Sequence, residues 1–268
     1  MNIRRKYNVV FLGLVLLVAT IGFSCARDFS APAGDGDTPS AVGQSSGEVT
    51  FPDETIERNV RLKLNLQSGD SILTAELEKV TVFSTALELY VKDLQGMGLF
   101  VNLIELDMTQ NKIVDLSPLS SLSNLTRLNL TQNDIVDLSP LASLTKLDYL
   151  HLQDNEINDL SALASLTELT ELNIQENQIT DVSALASLTK LEVLRLNTNQ
   201  ISDISALGAL PNLKMLEFSK NQVTDISPLL ESGLGAGTTI RLWGEKLDVN
   251  SVDVVIPQLK AAGVKVQY

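Results

Sequence analysis

The chain has one cysteine, one histidine and one tryptophan in 268 residues, and 4% of it is aromatic. A single cysteine excludes an internal disulfide, so stability must come from packing. One cysteine and one histidine also exclude clustered Cys/His zinc spacing. A Cys/His nucleophile pair is excluded as well if the cysteine is acylated or removed. Gly-x-Ser-x-Gly, His-Glu-x-x-His and a phosphate loop are absent. Basic residues are in the minority, 20 against 33 acidic ones, for a formal charge of −13. Such a chain is not drawn to nucleic acid or to an anionic membrane. The acidity serves solubility and would favour basic partners at low salt. With so few rings, the core must be aliphatic.

What the sequence does have is a period. Asn111, Asn133, Asn155, Asn177, Asn199 and Asn221 stand 22 residues apart. Around each, apolar residues return in one pattern, as in Leu103, Leu106, Met108, Ile113, Leu116, Leu119 and Leu122. A fixed period of this length means a stacked solenoid. The run Leu128-Asn129-Leu130 alternates at strand period. Asp-Leu-Ser-Pro-Leu at 115–119 and 137–141 signals a helical start, with Ser as N-cap and Pro at the first helical position. Too few residues follow for a full helix, which predicts a short 3₁₀ turn. Seven buried side chains at about 1.5–3 kcal/mol each fall short of ordering 22 residues at roughly 1–2 kcal/mol each. Single repeats therefore depend on their neighbours.

The Asn side chain both donates and accepts, so it suits buried backbone groups at a sharp bend; a ligand ladder is the rival reading. The aspartates at 115, 137, 159, 181, 203 and 225 could form a metal stripe or accept from local backbone amides. The second predicts no metal.

The run Leu103-x-x-Leu106-x-Met108-x-x-Asn111-x-Ile113 resembles the leucine-rich repeat in the 22-residue form of bacterial internalins, over roughly residues 50–268. A eukaryotic phosphatase regulatory subunit shares the period. The resemblance implies a curved solenoid with parallel strands and ligand binding on the concave face, and no catalytic residue. The expected architecture is an α/β repeat with short 3₁₀ turns on the convex side, a helical N-terminal cap and a helix-strand C-terminal cap. The boundaries are a signal peptide at 1–24, a flexible tether at 25–48, the N-terminal cap at 49–80, repeats at 81–234 and the C-terminal cap at 235–268. Residues 81–102 read as a degenerate first repeat, with Leu89 at the asparagine position. Glu245 replaces asparagine after a two-residue insertion. The stretch from Ile256 reads as a helix ending at Gly263, with a last strand to Val266. Trp243 is expected to pack within the cap.

Arg4, Arg5 and Lys6 precede an apolar run from Val9 to Phe23, too short for a membrane span and suited to a signal peptide. Gly22-Phe23-Ser24-Cys25 resembles a bacterial lipoprotein box, which would lipidate Cys25; cleavage after Ala26 is the alternative, giving a soluble secreted chain. Residues 26–48 are rich in Gly, Ser, Pro, Ala and Asp, the composition of a tether. Loss of residues 1–24 removes three cations, leaving −16 in place of −13.

Strand alternation lists the concave face: Glu105 and Asp107, Arg127 and Asn129, Tyr149 and His151, Glu171 and Asn173, Val193 and Arg195, Met215 and Glu217. His151 is expected to face solvent, and Val193 with Met215 to form a small exposed apolar patch. Thr, Gln and Asn at 109, 131, 153, 175 and 197 form a polar margin. Tyr and Arg are favoured at interface centres. A shallow face gives no pocket to tune carboxylates, so the chain is read as non-enzymatic, without a cofactor. It would be an exported, lipid-anchored module that holds a protein or peptide. The alternative is a structural envelope component without a ligand. The apposed Leu-Ala-Ser-Leu-Thr segments at 141, 163 and 185 are identical while the strand positions vary, which favours the first. An intracellular phosphatase-regulator role conflicts with the signal segment.

Overall fold

The computed structural model describes residues 47–85 and 90–268. The signal segment, Cys25, the tether up to residue 46 and Leu89 lie outside the described residues. The folded part begins with β1 (Glu48–Val49), which pairs antiparallel with β2 (Ile72–Leu73). Glu48, assigned to the tether by composition, is therefore already paired, with Leu73.

Between these strands runs α1 (Glu54–Leu64). Its N-cap is Asp53, whose carboxylate accepts from Thr55 N at 2.9 Å and Ile56 N at 3.2 Å, satisfying amides that the helix itself leaves open. Ile56 and Val60 are buried under it, and Asn65 ends it in the left-handed conformation. The short α2 (Thr74–Leu77) follows. Phe51, Phe83 and Phe100 then close the end of the core, the Phe100 ring centroid lying 6.1 Å from that of Phe51 and 5.3 Å from that of Phe83. Gly96, at φ +93°, lies against Phe51: a Cβ there would come within 2.8 Å of the ring.

The repeats build one parallel sheet, nine strands among the described residues, in sequence order. They are β3 (Val82–Ser84), β4 (Glu105–Asp107), β5 (Arg127–Asn129), β6 (Tyr149–His151), β7 (Glu171–Asn173), β8 (Val193–Arg195), β9 (Met215–Glu217), β10 (Thr239–Arg241) and β11 (Lys265–Gln267). The central residue of each is buried; its neighbours face the other way. Short 3₁₀ turns return the chain, as at Ser139–Ser143 and Ser161–Ser165. The leucines, isoleucines and Met108 of the repeat pattern form one continuous core.

The six asparagines link repeat to repeat. Asn155 Nδ2 donates to Leu152 O at 3.0 Å in its own repeat and to Leu130 O at 3.1 Å in the one before. Its Oδ1 accepts from Ile135 N at 3.1 Å. Asn133, Asn177 and Asn199 repeat this set, as does Asn221. At the first, Asn111 accepts from Val91 N at 3.0 Å. At the last position Glu245 takes over the acceptor half of the job. Its two oxygens receive Asn221 N at 2.5 Å and Val223 N at 2.9 Å.

The residue before each asparagine is left-handed: Gln110, Gln132, Asp154, Glu176, Thr198 and Lys220 have φ between 54° and 60°. This is uncommon without glycine, and most costly for the β-branched Thr198.

The start of each return differs from the sequence expectation. Leu116 and Leu138 occupy the cap position, and the serines sit inside the turn. The capping acceptor is the aspartate two residues ahead of each serine: Asp115, Asp137 and Asp159 accept from Ser117, Ser139 and Ser161 N at 2.8 Å. Asp181, Asp203 and Asp225 do the same. A carboxylate accepts more strongly than a hydroxyl, and it binds the serine hydroxyl as well, as at Asp137. These bonds hold the Asp137 carboxyl below its usual pKa.

The C-terminal helix also begins earlier than expected. Asp248 Oδ1 accepts from Ser251 N at 2.6 Å, a capping bond placed ahead of the expected start. The chain is helical from Val249, widens to a π-turn over Ser251–Val255, and continues as α3 (Ile256–Ala261). Pro257 lacks the N–H for a bond four residues back. Gly263, at φ +92°, turns the chain into β11.

Replacing Asn155 by Ala leaves the buried Ile135 N without its acceptor, while Leu130 O and Leu152 O each lose one of two amide donors and keep those of Asn133 and Asn177. We expect a loss of roughly 2–3 kcal/mol, read as a lower urea midpoint. A loss below about 1 kcal/mol would show that the asparagine is not a principal tie between repeats.

Candidate functional site

The sheet register sets the site. Along one column Glu105, Arg127, Tyr149, Glu171, Val193 and Met215 are direct neighbours, continued by Thr239 and Lys265. Along the other are Asp107, Asn129, His151, Asn173, Arg195 and Glu217, continued by Arg241 and Gln267. All the residues expected to line this face share it. They are not, however, two independent columns of free side chains.

The side chains join diagonally into one row. Arg127 lies 3.9 Å above the Tyr149 ring, and its Nε is 3.9 Å from Glu105. Tyr149 stacks on His151 with ring centroids 4.0 Å apart, and its hydroxyl is 2.8 Å from His151 Nδ1. His151 Nε2 meets Glu171 Oε1 at 3.0 Å, and Arg195 Nη1 donates to the same oxygen at 2.6 Å. Arg195 Nε lies 3.9 Å from Glu217. Arg241 Nη1 donates to the other Glu217 oxygen, and Arg241 Nε donates to Gln267 Oε1 at 3.0 Å.

Protonation follows from this geometry. An ionised Glu171 is an acceptor only, so His151 Nε2 carries the proton toward it. Nδ1 then accepts from the Tyr149 hydroxyl. Burial pushes the His151 pKa below 6.5, against the raising effect of Glu171. The His151–Glu171 contact is therefore a hydrogen bond from a neutral imidazole at neutral pH. Burial pulls Glu171 up, but the hydrogen bonds and charges of Arg195 and His151 outweigh it, and its pKa falls. Burial, followed by the Glu171 charge, raises the Tyr149 hydroxyl.

Several expectations change. His151 is not solvent-facing: its side chain is 16% exposed, because it is held between Tyr149 and Glu171. Asn173 is buried, its carbonyl accepting from Gln175 Nε2 at 3.0 Å and its amide donating to Gln153 at 3.3 Å. Val193 and Met215 are half-buried rather than an exposed patch, and the Met215 sulfur lies 4.0 Å from nitrogens of both Arg195 and Arg241. Trp243 is not packed away: 52% of it is exposed. Arg241 and Gln267 escaped the sequence reading because Arg241 follows Glu217 by 24 residues and Gln267 follows Arg241 by 26, off the count of 22. The alternation Ile240, Arg241, Leu242 carried the signal. Among the described residues there is no cluster of three or more His, Cys, Asp or Glu that could hold a metal, and no helix long and apolar enough to cross a membrane.

Nuclear magnetic resonance of the sole histidine tests the assignment. His151 should titrate below 6.5, and Glu171→Gln, which removes its raising partner, should lower it further. A depressed histidine contributes stability fully above the unfolded pKa, near 6.5, and loses it as pH falls through the folded pKa. Thermal stability should therefore fall on acidification below about 6.5, less so in His151→Gln. A titration at or above 6.5 would contradict the neutral-imidazole arrangement.

The family model for leucine-rich repeats in two copies matches residues 101–143, 123–165, 145–187 and 167–209. No curated protein matches the chain. Among solved structures, an internalin (inlF) of Listeria monocytogenes is 31% identical, with a TM-score of 0.64 over 81% of this chain and 71% of that one. Internalin C2 of the same species is 32% identical, with a TM-score of 0.58 over 74% of this chain and 94% of its own. A leucine-rich-repeat protein of Leptospira interrogans shares the fold at 22% identity, with a TM-score of 0.66 over 72% of this chain and 50% of that one. Identity of 31–32% to the two internalins, across most of both chains, means that the chain belongs to the internalin-like family of leucine-rich-repeat proteins.

Proposed function

We propose that the chain is an exported, non-enzymatic binding module that holds a protein or peptide on the sheet face, centred on Tyr149, His151, Glu171 and Arg195. The observation that carries this reading is the joined row. An aromatic pair is fixed in place by Arg127 on one side and Glu171 with Arg195 on the other. Side chains already held in one conformation lose little entropy when a partner docks. Tyr and Arg at the centre of a patch are what interface hot spots favour.

Immobilised full-length chain should capture a partner from envelope or extracellular extracts. Tyr149→Ala should weaken that partner at least about tenfold, with circular dichroism unchanged. Capture by neither protein, or equally by both, would move the function to another surface or to a structural envelope role.

Export and anchoring rest on Arg4, Arg5, Lys6, the apolar run to Phe23 and the Ser24-Cys25 pair. In the native cell, mass spectrometry should find a mature chain that starts at lipidated Cys25 in the membrane fraction. Cys25→Ala should release it from that fraction. A native chain retaining residues 1–24 in the cytosol would remove the exported reading, and a soluble chain starting after Ala26 would remove the anchor alone.

A further inference from the structure

A second feature lies toward the C-terminal end of the sheet, away from Tyr149. A pocket of about 590 Å³ opens there, between side chains of successive repeats. Its volume lies within the roughly 300–1,000 Å³ of small-ligand sites. Trp243, the sole tryptophan of the chain, lines it with its ring half exposed. The backbone of Trp243 is fixed on both sides: its N–H donates to Ser219 Oγ at 3.0 Å, and its carbonyl accepts from Lys220 N at 3.1 Å. An exposed indole on a pinned backbone is not explained by packing.

The remaining wall is polar and cross-braced. Asn197 Nδ2 donates to Gln175 Oε1 at 2.6 Å and to Glu217 Oε2 at 3.2 Å. Asn197 Oδ1 accepts from Ser219 N at 2.8 Å. Glu217 is paired with Arg241, and the lining adds Lys220 and Glu176, so acidic and basic groups cancel.

We propose that this pocket binds a neutral oligosaccharide, with Trp243 as the stacking platform. A sugar ring has an apolar C–H face and a rim of hydroxyls that both donate and accept. The indole offers a flat, rigid apolar surface for the first. The second N–H of Gln175 Nε2, the second lone pairs of the Gln175 and Asn197 carbonyls and the Glu217–Arg241 pair offer fixed donors and acceptors for the rim of hydroxyls. A peptide anchor would need an apolar cavity; here the large apolar surface is one exposed ring. Cancelling charges disfavour an anionic sugar. The site does not depend on the partner proposed for Tyr149.

The sole tryptophan is its own reporter. Full-length protein is titrated with cellotetraose, maltotetraose, chitotetraose and mannotetraose to about 10 mM, following Trp243 emission. At least one sugar should give a saturable shift that survives added salt, and calorimetry should show the binding lost in Trp243→Ala and retained in Tyr149→Ala. No saturable shift with any of the four, binding that persists in Trp243→Ala, or binding abolished by salt would overturn the proposal. So would a shift produced by a peptide and by none of the sugars. Failure of partner capture at Tyr149 would leave this titration unaffected, so the two readings fall separately.

Discussion

The fold depends on one side-chain amide used across repeats. An asparagine satisfies a carbonyl in its own turn, a carbonyl one repeat back and an amide one repeat back. These backbone groups point inward where the chain bends, and unpaired they would be expensive. No apolar side chain could replace the bond set, and aspartate or glutamate could supply only the acceptor part. The chain shows this last case at its end. Glu245 receives two amides where the insertion closes the series, and burial raises its pKa despite them. Because the bonds run from each repeat to the one before, they also fix the turn of one strand against the next. The uniform register of the sheet follows from that.

Uniform register has a consequence for surface chemistry. Side chains one repeat apart stand about 4.8 Å from each other, too close for each to face water alone. Acid beside base is then the stable arrangement, and the row alternates Glu105, Arg127, Glu171, Arg195, Glu217 and Arg241, with the neutral Tyr149–His151 pair inside it. Exposure falls from the Arg127 side chain, 45% exposed, to that of Glu217, 12%, and rises again at Arg241. The Arg127 end is solvated, where ion pairs contribute little. The Glu217 end is enclosed, where loss of one partner would leave an uncompensated charge. A ligand can therefore rearrange the first end at less cost than the second.

Sequence pattern made the period, the core and the identity of the sheet face legible, because buried leucine and asparagine positions admit few substitutes. It did not make legible what backbone context decides. The left-handed residue before each asparagine is Gln, Gln, Asp, Glu, Thr or Lys, which share no conformational preference. Its shape is imposed by the bonds on either side of it. The serine cap differs for a similar reason: serine, proline and the preceding aspartate are all starting signals, and while the aspartate's bonds to local amides are legible in the sequence, its taking the capping place from serine is not. Column positions were readable from alternation. The diagonal reach from His151 to Glu171, and from Arg195 back to Glu171, depends on side-chain length and was not. Trp243 was misplaced because an aromatic near a chain end reads as packing until its exposure is known.

Charge argues further about how this face recognises anything. The chain as a whole is strongly acidic, which by itself favours basic partners. The two columns of the sheet do not share that bias. Glu105, Asp107, Glu171 and Glu217 are matched by Arg127, Arg195, Arg241 and Lys265, with His151 neutral. The excess of acid lies on other surfaces. Long-range attraction would then speed encounter without selecting this face, and selection must come from shape and hydrogen bonding at close range. A partner of the Tyr149 row should bind with an affinity that depends little on salt, even where its rate of association depends on salt strongly.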